Sequence, residues 1–260
     1  MLVSNNNNNK TVAAVYLARG AEQNWRYLFK RFLNSYKQYE AGYYHKLYII
    51  FKGFTNALEF NEAIRMFETV KHTRVLLEDN SYDIGAYIEL ANQINEEIIC
   101  FLNTSTEFIA VNWLNLLLLN LMLPKVELVG ASASYESNSG LNPMFPRFPN
   151  PHIRSNAFMT IRSTFCDIAN TFKIENKIDA LLFESGPMSI TRQIKSNGLE
   201  ALLVGRNGRG YATQWWPTSS TFRQGNQFNL LIADNQTRAF SSLPWNEKRE
   251  VMKRTWGKVI

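Results

Sequence analysis

The sequence predicts an α/β protein with a mainly parallel sheet flanked by helices. Three observations carry that expectation. Short apolar runs alternate with amphipathic stretches across the first half of the chain, as βα crossovers require. The helical stretches between them have the length that such crossovers need. One of them, Ile98 to Leu102, stops abruptly on Asn103-Thr104-Ser105, and the carboxyl end of a buried strand is where open α/β sheets place ligands.

Taken in order, Val12 to Leu17 reads as a buried strand. The helix after it carries Leu28, Phe29, Phe32, Leu33 and Tyr36 on one face. Leu47 to Phe51 is the second strand, Glu59 to Val70 the second helix with Phe60, Ile64 and Phe67 on one side, and Arg74 to Leu77 the third strand. A helix over Ile84 to Ile94 leads to the strand Ile98 to Leu102. A helix over Val111 to Met122 and a strand at Val126 to Ala131 follow. The rhythm then breaks. Ser132 to Pro151 holds Ser, Asn, Gly and prolines at 143, 146, 149 and 151, the composition of a long loop. Beyond it the pattern gives a strand at Ala157 to Ile161, a helix from Thr164 to Phe172 and a helix from Pro187 to Asn197 closed by Gly198. A strand at Ala201 to Val204, a loop over Gly205 to Asn229 and a last helix over Asn246 to Trp256 complete the chain.

Composition bounds the rest. The 260 residues are 45% hydrophobic and 13% aromatic, enough to bury a sizeable core in one large domain spanning 11–260. Residues 1–10, dominated by Asn5 to Asn9, read as a flexible tail, and neither a signal-peptide core nor a membrane-spanning run is visible. Cys100 and Cys166 lie in apolar segments without paired Cys/His spacing. They read as buried free thiols in a reducing, cytoplasmic compartment. The net charge of +6 favours anionic partners but is spread along the chain, with no nucleic-acid-binding motif and no basic stripe interleaved with aromatics. Nucleic acid is therefore not expected as a partner.

The first strand ends in Val15-Tyr16-Leu17-Ala18-Arg19-Gly20, and Asp79-Asn80-Ser81-Tyr82-Asp83-Ile84-Gly85 forms a polar turn entering a helix. With Asn103-Thr104-Ser105 and Leu182-Phe183-Glu184-Ser185-Gly186, this order resembles the GT-A-fold nucleotide-sugar glycosyltransferases, family-2-like enzymes of the surface-polysaccharide type. The resemblance runs from Val12 to about Phe240. It implies a nucleotide-sugar-binding half over 11–131, an acceptor-binding half over 132–260, and transfer to a glycan or lipid-linked glycan, with inversion. A peripheral association with the membrane is compatible with it, and the oligomeric state stays open.

The resemblance also implies site residues. Ala18, Arg19 and Gly20 would cup the nucleotide and Asp83 would face it, although an Asp there also suits a helix N-cap. Asn103-Thr104-Ser105 stands where the family carries Asp-X-Asp for Mg²⁺ or Mn²⁺. Hard divalent cations prefer charged oxygens, so no metal is expected as an obligatory cofactor. The neutral triplet would bond ribose or phosphate, and Arg206 and Arg209 would replace the metal's charge on the leaving diphosphate, unless they are solvated loop charges. Glu184 is the candidate base, Asp234 its substitute, and helix-approach charge the bland alternative for Glu184. His152, Tyr211, Trp215 and Trp216 are candidate substrate contacts, with one of the tryptophans expected to pack inward. An inactive carbohydrate-binding domain is the competing reading, motivated by the missing metal carboxylates.

Overall fold

The computed structural model describes residues 10–80 and 82–259. The expected tail lies outside the described residues except for Lys10. Its ammonium is ion-paired with Glu97 at 2.6 Å, so Lys10 belongs with the folded residues and not with the expected tail.

The first half builds β1 (Val12–Arg19), α1 (Trp25–Gln38), β2 (Lys46–Lys52), α2 (Ala57–Phe67), β3 (Thr73–Leu76), α3 (Tyr82–Ala91), β4 (Ile98–Leu102), β5 (Glu107–Phe108), α4 (Trp113–Leu121) and β6 (Val126–Gly130). The second half adds β7 (Ala133–Ser134), β8 (His152–Ile153), β9 (Ala157–Ile161), α5 (Arg162–Ala169), α6 (Lys177–Ser185), α7 (Ile190–Ser196), β10 (Glu200–Val204) and β11 (Gly210–Tyr211). A 3₁₀ turn (Thr213–Thr218), β12 (Ile232–Ala233), α8 (Asn235–Ser242) and α9 (Trp245–Trp256) complete it.

An eight-stranded sheet in the order β11-β10-β6-β9-β4-β1-β2-β3 forms the centre. Strands β3, β2, β1 and β4 run parallel, as do β6 and β10, while β9 runs antiparallel between β4 and β6. The mainly parallel sheet thus contains one reversed internal strand, because the chain re-enters from the long loop at the opposite end. That loop also carries the short β7–β8 pair.

Both faces of the sheet are covered, which is why β1 reads as a continuous apolar run instead of an alternating one. On one side Phe29 and Phe32 of α1, Phe67 of α2, and Trp113 and Leu117 of α4 pack onto Tyr16, Ile49 and Cys100. On the other, Tyr87 of α3, Phe165 of α5, Phe183 of α6 and Ile194 of α7 pack onto Val15, Ile50 and Phe101. Cys100 is a buried free thiol as expected, whereas Cys166 is only half-buried.

Two helices escaped the sequence pattern, α6 and α8. Each begins with a reciprocal capping box, Asn176 with Asp179 and Asp234 with Thr237. The helix expected from Pro187 starts at Ile190.

The topology fixes where a ligand can sit. From β1 the chain moves outward through β2 and β3, then crosses to place β4 on the other side of β1. The carboxyl ends of β1 and β4 are therefore neighbours at the point where the strand order reverses, the position at which open α/β sheets leave a crevice.

Candidate functional site

A cleft of about 240 Å³ opens at that crevice, lined by Arg19 from β1, Tyr82 and Asp83 from α3, Asn103, Thr104 and Ser105 after β4, and Lys177 and Glu184 from α6. Six of the residues expected from sequence thus meet in one place: Arg19, Asp83, Asn103, Thr104, Ser105 and Glu184. Glu22, Ser155, Lys177 and Asn235 also line it and were not singled out from sequence.

Local chemistry shapes each wall. Tyr16 stacks on Phe32 with ring centroids 3.6 Å apart and donates its hydroxyl to the Thr104 carbonyl at 2.8 Å. Thr104 Oγ1 donates to the Leu17 carbonyl at 2.8 Å. These two bonds lock the end of β4 to β1. Asn103 Oδ1 accepts from the Ser105 amide at 3.1 Å and the Thr106 hydroxyl at 3.3 Å, closing the turn on itself. Ala18 is fully buried in the core, and Gly20 donates its amide to the Lys52 carbonyl. Neither lines the cleft; a side chain at Gly20 would strike the Phe54 ring. Of Ala18, Arg19 and Gly20, only Arg19 reaches the site.

Arg19 is held by Asp79 in a two-pronged arrangement, Nε to Oδ1 at 3.0 Å and an Nη to Oδ2 at 2.9 Å. Lys52, whose side chain is wholly buried, lies 3.2 Å from the same carboxylate and donates to the Tyr82 carbonyl at 2.7 Å. Burial pulls the Lys52 ammonium below its ordinary value, against the pull of Asp79. This triad orients Arg19 and ties the start of α3 to β2. Asp83 faces the cleft and accepts from the Ile84 amide. Burial, followed by the charge of Glu184, raises its carboxyl above the ordinary carboxylate range.

Glu184 sits in the last turn of α6, not on the approach to the next helix. Its Oε2 accepts two bonds from Ser155, from the amide at 2.6 Å and the hydroxyl at 2.5 Å. Its Oε1 has no hydrogen-bond partner among the described residues and lies 3.9 Å from His152 Nε2. His152 is buried, and its Nδ1–H donates to the Asn150 carbonyl at 2.8 Å, which leaves the Nε2 lone pair toward Glu184. Burial lowers the imidazole pKa, with Glu184 opposing, so the ring is neutral at pH 7.

A second cavity, of about 560 Å³, adjoins the first and shares Leu181 and Glu184 with it; Glu136, His152, Arg154, Arg223 and Arg254 are among the other residues that line it. Glu184 is therefore a common wall of two cavities.

Other expected contacts fall elsewhere. Arg206 and Arg209 occupy the β10–β11 turn, three strand positions from β4, about 14 Å at about 4.8 Å per strand. That turn packs on α4, where Asn120 donates to the Gly208 carbonyl at 3.0 Å, and the Arg209 guanidinium lies over the Tyr211 ring. Tyr211 is buried on the edge strand, its hydroxyl held by Asn207 and Asn229. Trp215 and Trp216 lie on a 3₁₀ turn, not a strand. Trp216 is fully buried with its indole N–H on the Tyr211 carbonyl, and Trp215 is exposed away from both cavities. Asp234 is buried as the cap of α8 and paired with Arg154 at 3.0 Å, so it has no free face for proton transfer. An Arg206→Ala/Arg209→Ala double variant is accordingly expected to leave nucleotide affinity within about twofold of wild type, as titration calorimetry would register, because surface charges this far away are screened.

The donor set is a poor match for a divalent cation on the β4 turn. Asn103 and Thr104 already use their side-chain oxygens on the backbone or on each other's turn, leaving the Ser105 hydroxyl. No cluster of three or more His, Cys, Asp or Glu side chains is arranged to hold a metal among the described residues.

No protein-family model and no curated protein matches the sequence. Solved structures do match. The mannosyltransferase PcManGT from Pyrobaculum calidifontis, in complex with GDP-Man and Mn²⁺, superposes with a TM-score of 0.52 at 14% identity over 74% of this chain and 54% of that one. The fold is GT-A. Two more matches have lower TM-scores. 4-diphosphocytidyl-2C-methyl-D-erythritol synthase from Anaerococcus prevotii gives 0.45 at 12% identity, covering 67% of this chain and 81% of that one. Glucosyl-3-phosphoglycerate synthase from Mycobacterium tuberculosis, with Mn²⁺, UDP and phosphoglyceric acid, gives 0.41 at 13% identity, covering 60% and 57%. The chain thus spans little more than half the length of the mannosyltransferase and of the glucosyl-3-phosphoglycerate synthase. No described helix is long and apolar enough to cross a membrane.

Proposed function

We propose that the protein is a glycosyltransferase that moves a sugar from a nucleotide-sugar donor to a glycan or lipid-linked glycan acceptor, with inversion at the anomeric carbon. The observation that carries this reading is the position of Glu184, one oxygen anchored by Ser155 and the other free, on the wall between two adjoining cavities. Likeness to a nucleotide-sugar mannosyltransferase supports the same assignment of the first cavity to the donor.

In this reading the donor's nucleotide lies along the β1 and β4 ends, between Arg19, Asp83 and the Asn103–Ser105 turn. The acceptor enters from the second cavity. Its hydroxyl oxygen forms a bond to the anomeric carbon as the bond from that carbon to the diphosphate breaks, and the hydroxyl proton passes to Glu184 Oε1. The two bonds that anchor Oε2 hold the carboxylate in register without occupying the reacting oxygen. His152, neutral with its Nε2 toward the same space, accepts a second acceptor hydroxyl. The developing charge on the diphosphate is met by Arg19 and Lys177. Lys177 lines the cleft and has no ion-pair partner among the described residues, so it takes the place that sequence gave to Arg206 and Arg209.

Two measurements test the reading. The anomeric configuration of the product, followed by NMR during turnover, is expected to be opposite to that of the donor; retention would remove Glu184 from the role of base. A Lys177→Ala variant is expected to lose about ten- to hundredfold in kcat, the worth of one charge-assisted contact to the leaving group, with its melting temperature unchanged because the side chain is exposed. Steady-state kinetics with a saturating acceptor would reveal the loss.

A further inference from the structure

Three guanidinium groups converge on the second cavity, whose lining holds two carboxylates, Glu136 and Glu184. Arg154 follows β8, Arg223 lies in the loop before β12, and Arg254 belongs to α9, so three separate elements deliver guanidinium groups to one space. Glu136 serves two of them, Arg223 at 2.8 Å and Arg254 at 3.2 Å, and Asp234 serves Arg154 at 3.0 Å. Of the two carboxylates that line the cavity, Glu136 takes Arg223 and Arg254 together, and Glu184 is held on its Ser155 bonds and pairs with none of the three guanidinium groups.

The hydrogen bonding leaves donors unused on two of these arginines. The Arg154 side chain is 9% exposed and its guanidinium lies 4.2 Å from the centre of the Phe222 ring. Among the described residues its only hydrogen bond is the one to Asp234, out of five N–H donors. Arg223 keeps a buried Nε–H with no partner. Burying so many charged donors beside a cavity is costly unless a ligand of opposite sign completes them. A flat guanidinium with free N–H groups matches the oxygens of a phosphate or a carboxylate.

We propose that this cavity is a binding site for an oxyanion, a phosphate ester or a carboxylate carried by the acceptor, held by Arg154, Arg223 and Arg254. Its description as an acceptor site rests on the glycosyl-transfer reading; its affinity for an oxyanion does not. The shared wall at Glu184 places the anion within one cavity's length of the reacting hydroxyl and distinguishes charged acceptors from neutral ones.

Binding of dimethyl phosphate, methyl glucuronide and neutral methyl glucoside to the whole chain, measured by titration calorimetry, tests the site. The expected result is saturable binding of at least one anion and not of the glucoside. Affinity should fall about tenfold in Arg223→Gln and about threefold in Arg254→Gln, with no displacement by a nucleoside diphosphate. Preference for dimethyl phosphate identifies a phosphate-bearing acceptor, and preference for the glucuronide an acidic sugar. Arg254 is largely exposed, so its variant folds even if Arg223→Gln does not. Absence of saturable binding by both anions, affinity unchanged in the variants, or displacement by the nucleotide would overturn the proposal. Anion binding without any nucleotide binding would instead overturn the donor-site reading and leave this one standing.

Discussion

Replacing Glu184 by glutamine is expected to lower kcat by about a hundredfold to ten-thousandfold while leaving donor affinity nearly unchanged. Glutamine keeps the size of the side chain and an oxygen for the Ser155 amide and hydroxyl, so the cleft retains its shape. What disappears is the only freely presented carboxylate oxygen between the two cavities among the described residues. Loss of affinity in step with kcat would point to a role in holding the donor. The variant also removes the negative charge that raises the Asp83 carboxyl and opposes the lowering of the His152 pKa. The His152 resonance in a pH titration is therefore expected to move further below its ordinary value, a readout independent of turnover.

Replacing Asp234 by alanine is expected to destabilise the fold by about 3–5 kcal/mol, visible as a large drop in the denaturant midpoint. Two losses coincide. The α8 cap loses its bond from the Thr237 amide at 2.8 Å, worth about 1 kcal/mol, and Arg154 is left charged and buried without its carboxylate. Burial alone would raise the Asp234 carboxyl, but Arg154 and the Thr237 amide outweigh it and hold it below the ordinary carboxylate value. A depressed carboxyl contributes stability above its unfolded value of about 3.9 and loses it as pH falls through the folded value. The wild-type advantage over Asp234→Ala should therefore shrink only in strong acid. A drop in kcat without loss of stability would restore Asp234 to the catalytic role that its sequence position suggested.

The parts of the fold legible in sequence were those set by local periodicity. Apolar runs such as Ile98 to Leu102 had to be strands because both their faces are buried, and the abrupt change at Asn103 marked the ligand end of the sheet. Helix α6 was missed because Ile178 and Ala180 to Phe183 form a nearly continuous apolar stretch without a clear stripe, although Asn176 and Asp179 carried a readable capping signal. The same kind of signal at Asp234 and Thr237 marks α8, and it explains why the acidic residue there is engaged as a cap. Only the family resemblance marks Glu184 in the sequence; its meeting with Ser155, 29 residues away, is tertiary. Arg206 and Arg209 looked suitable for a diphosphate because a Gly- and Arg-rich loop reads alike wherever it lies, and only the strand order moves them to the sheet edge. The Lys52–Asp79–Arg19 triad left no sequence trace because its members lie on three different segments.

The most direct test of glycosyl transfer at this cleft is release of nucleoside diphosphate from a panel of nucleotide sugars, with and without acceptor, in EDTA and in Mg²⁺ or Mn²⁺, for wild type and Glu184→Gln. Acceptor-stimulated release that persists in EDTA and collapses in the variant is the expected result. Absence of release from every donor despite saturable nucleotide binding, or release that Glu184→Gln leaves intact, would contradict the assignment, and strict dependence on added metal would contradict the use of Arg19 and Lys177 on the leaving group.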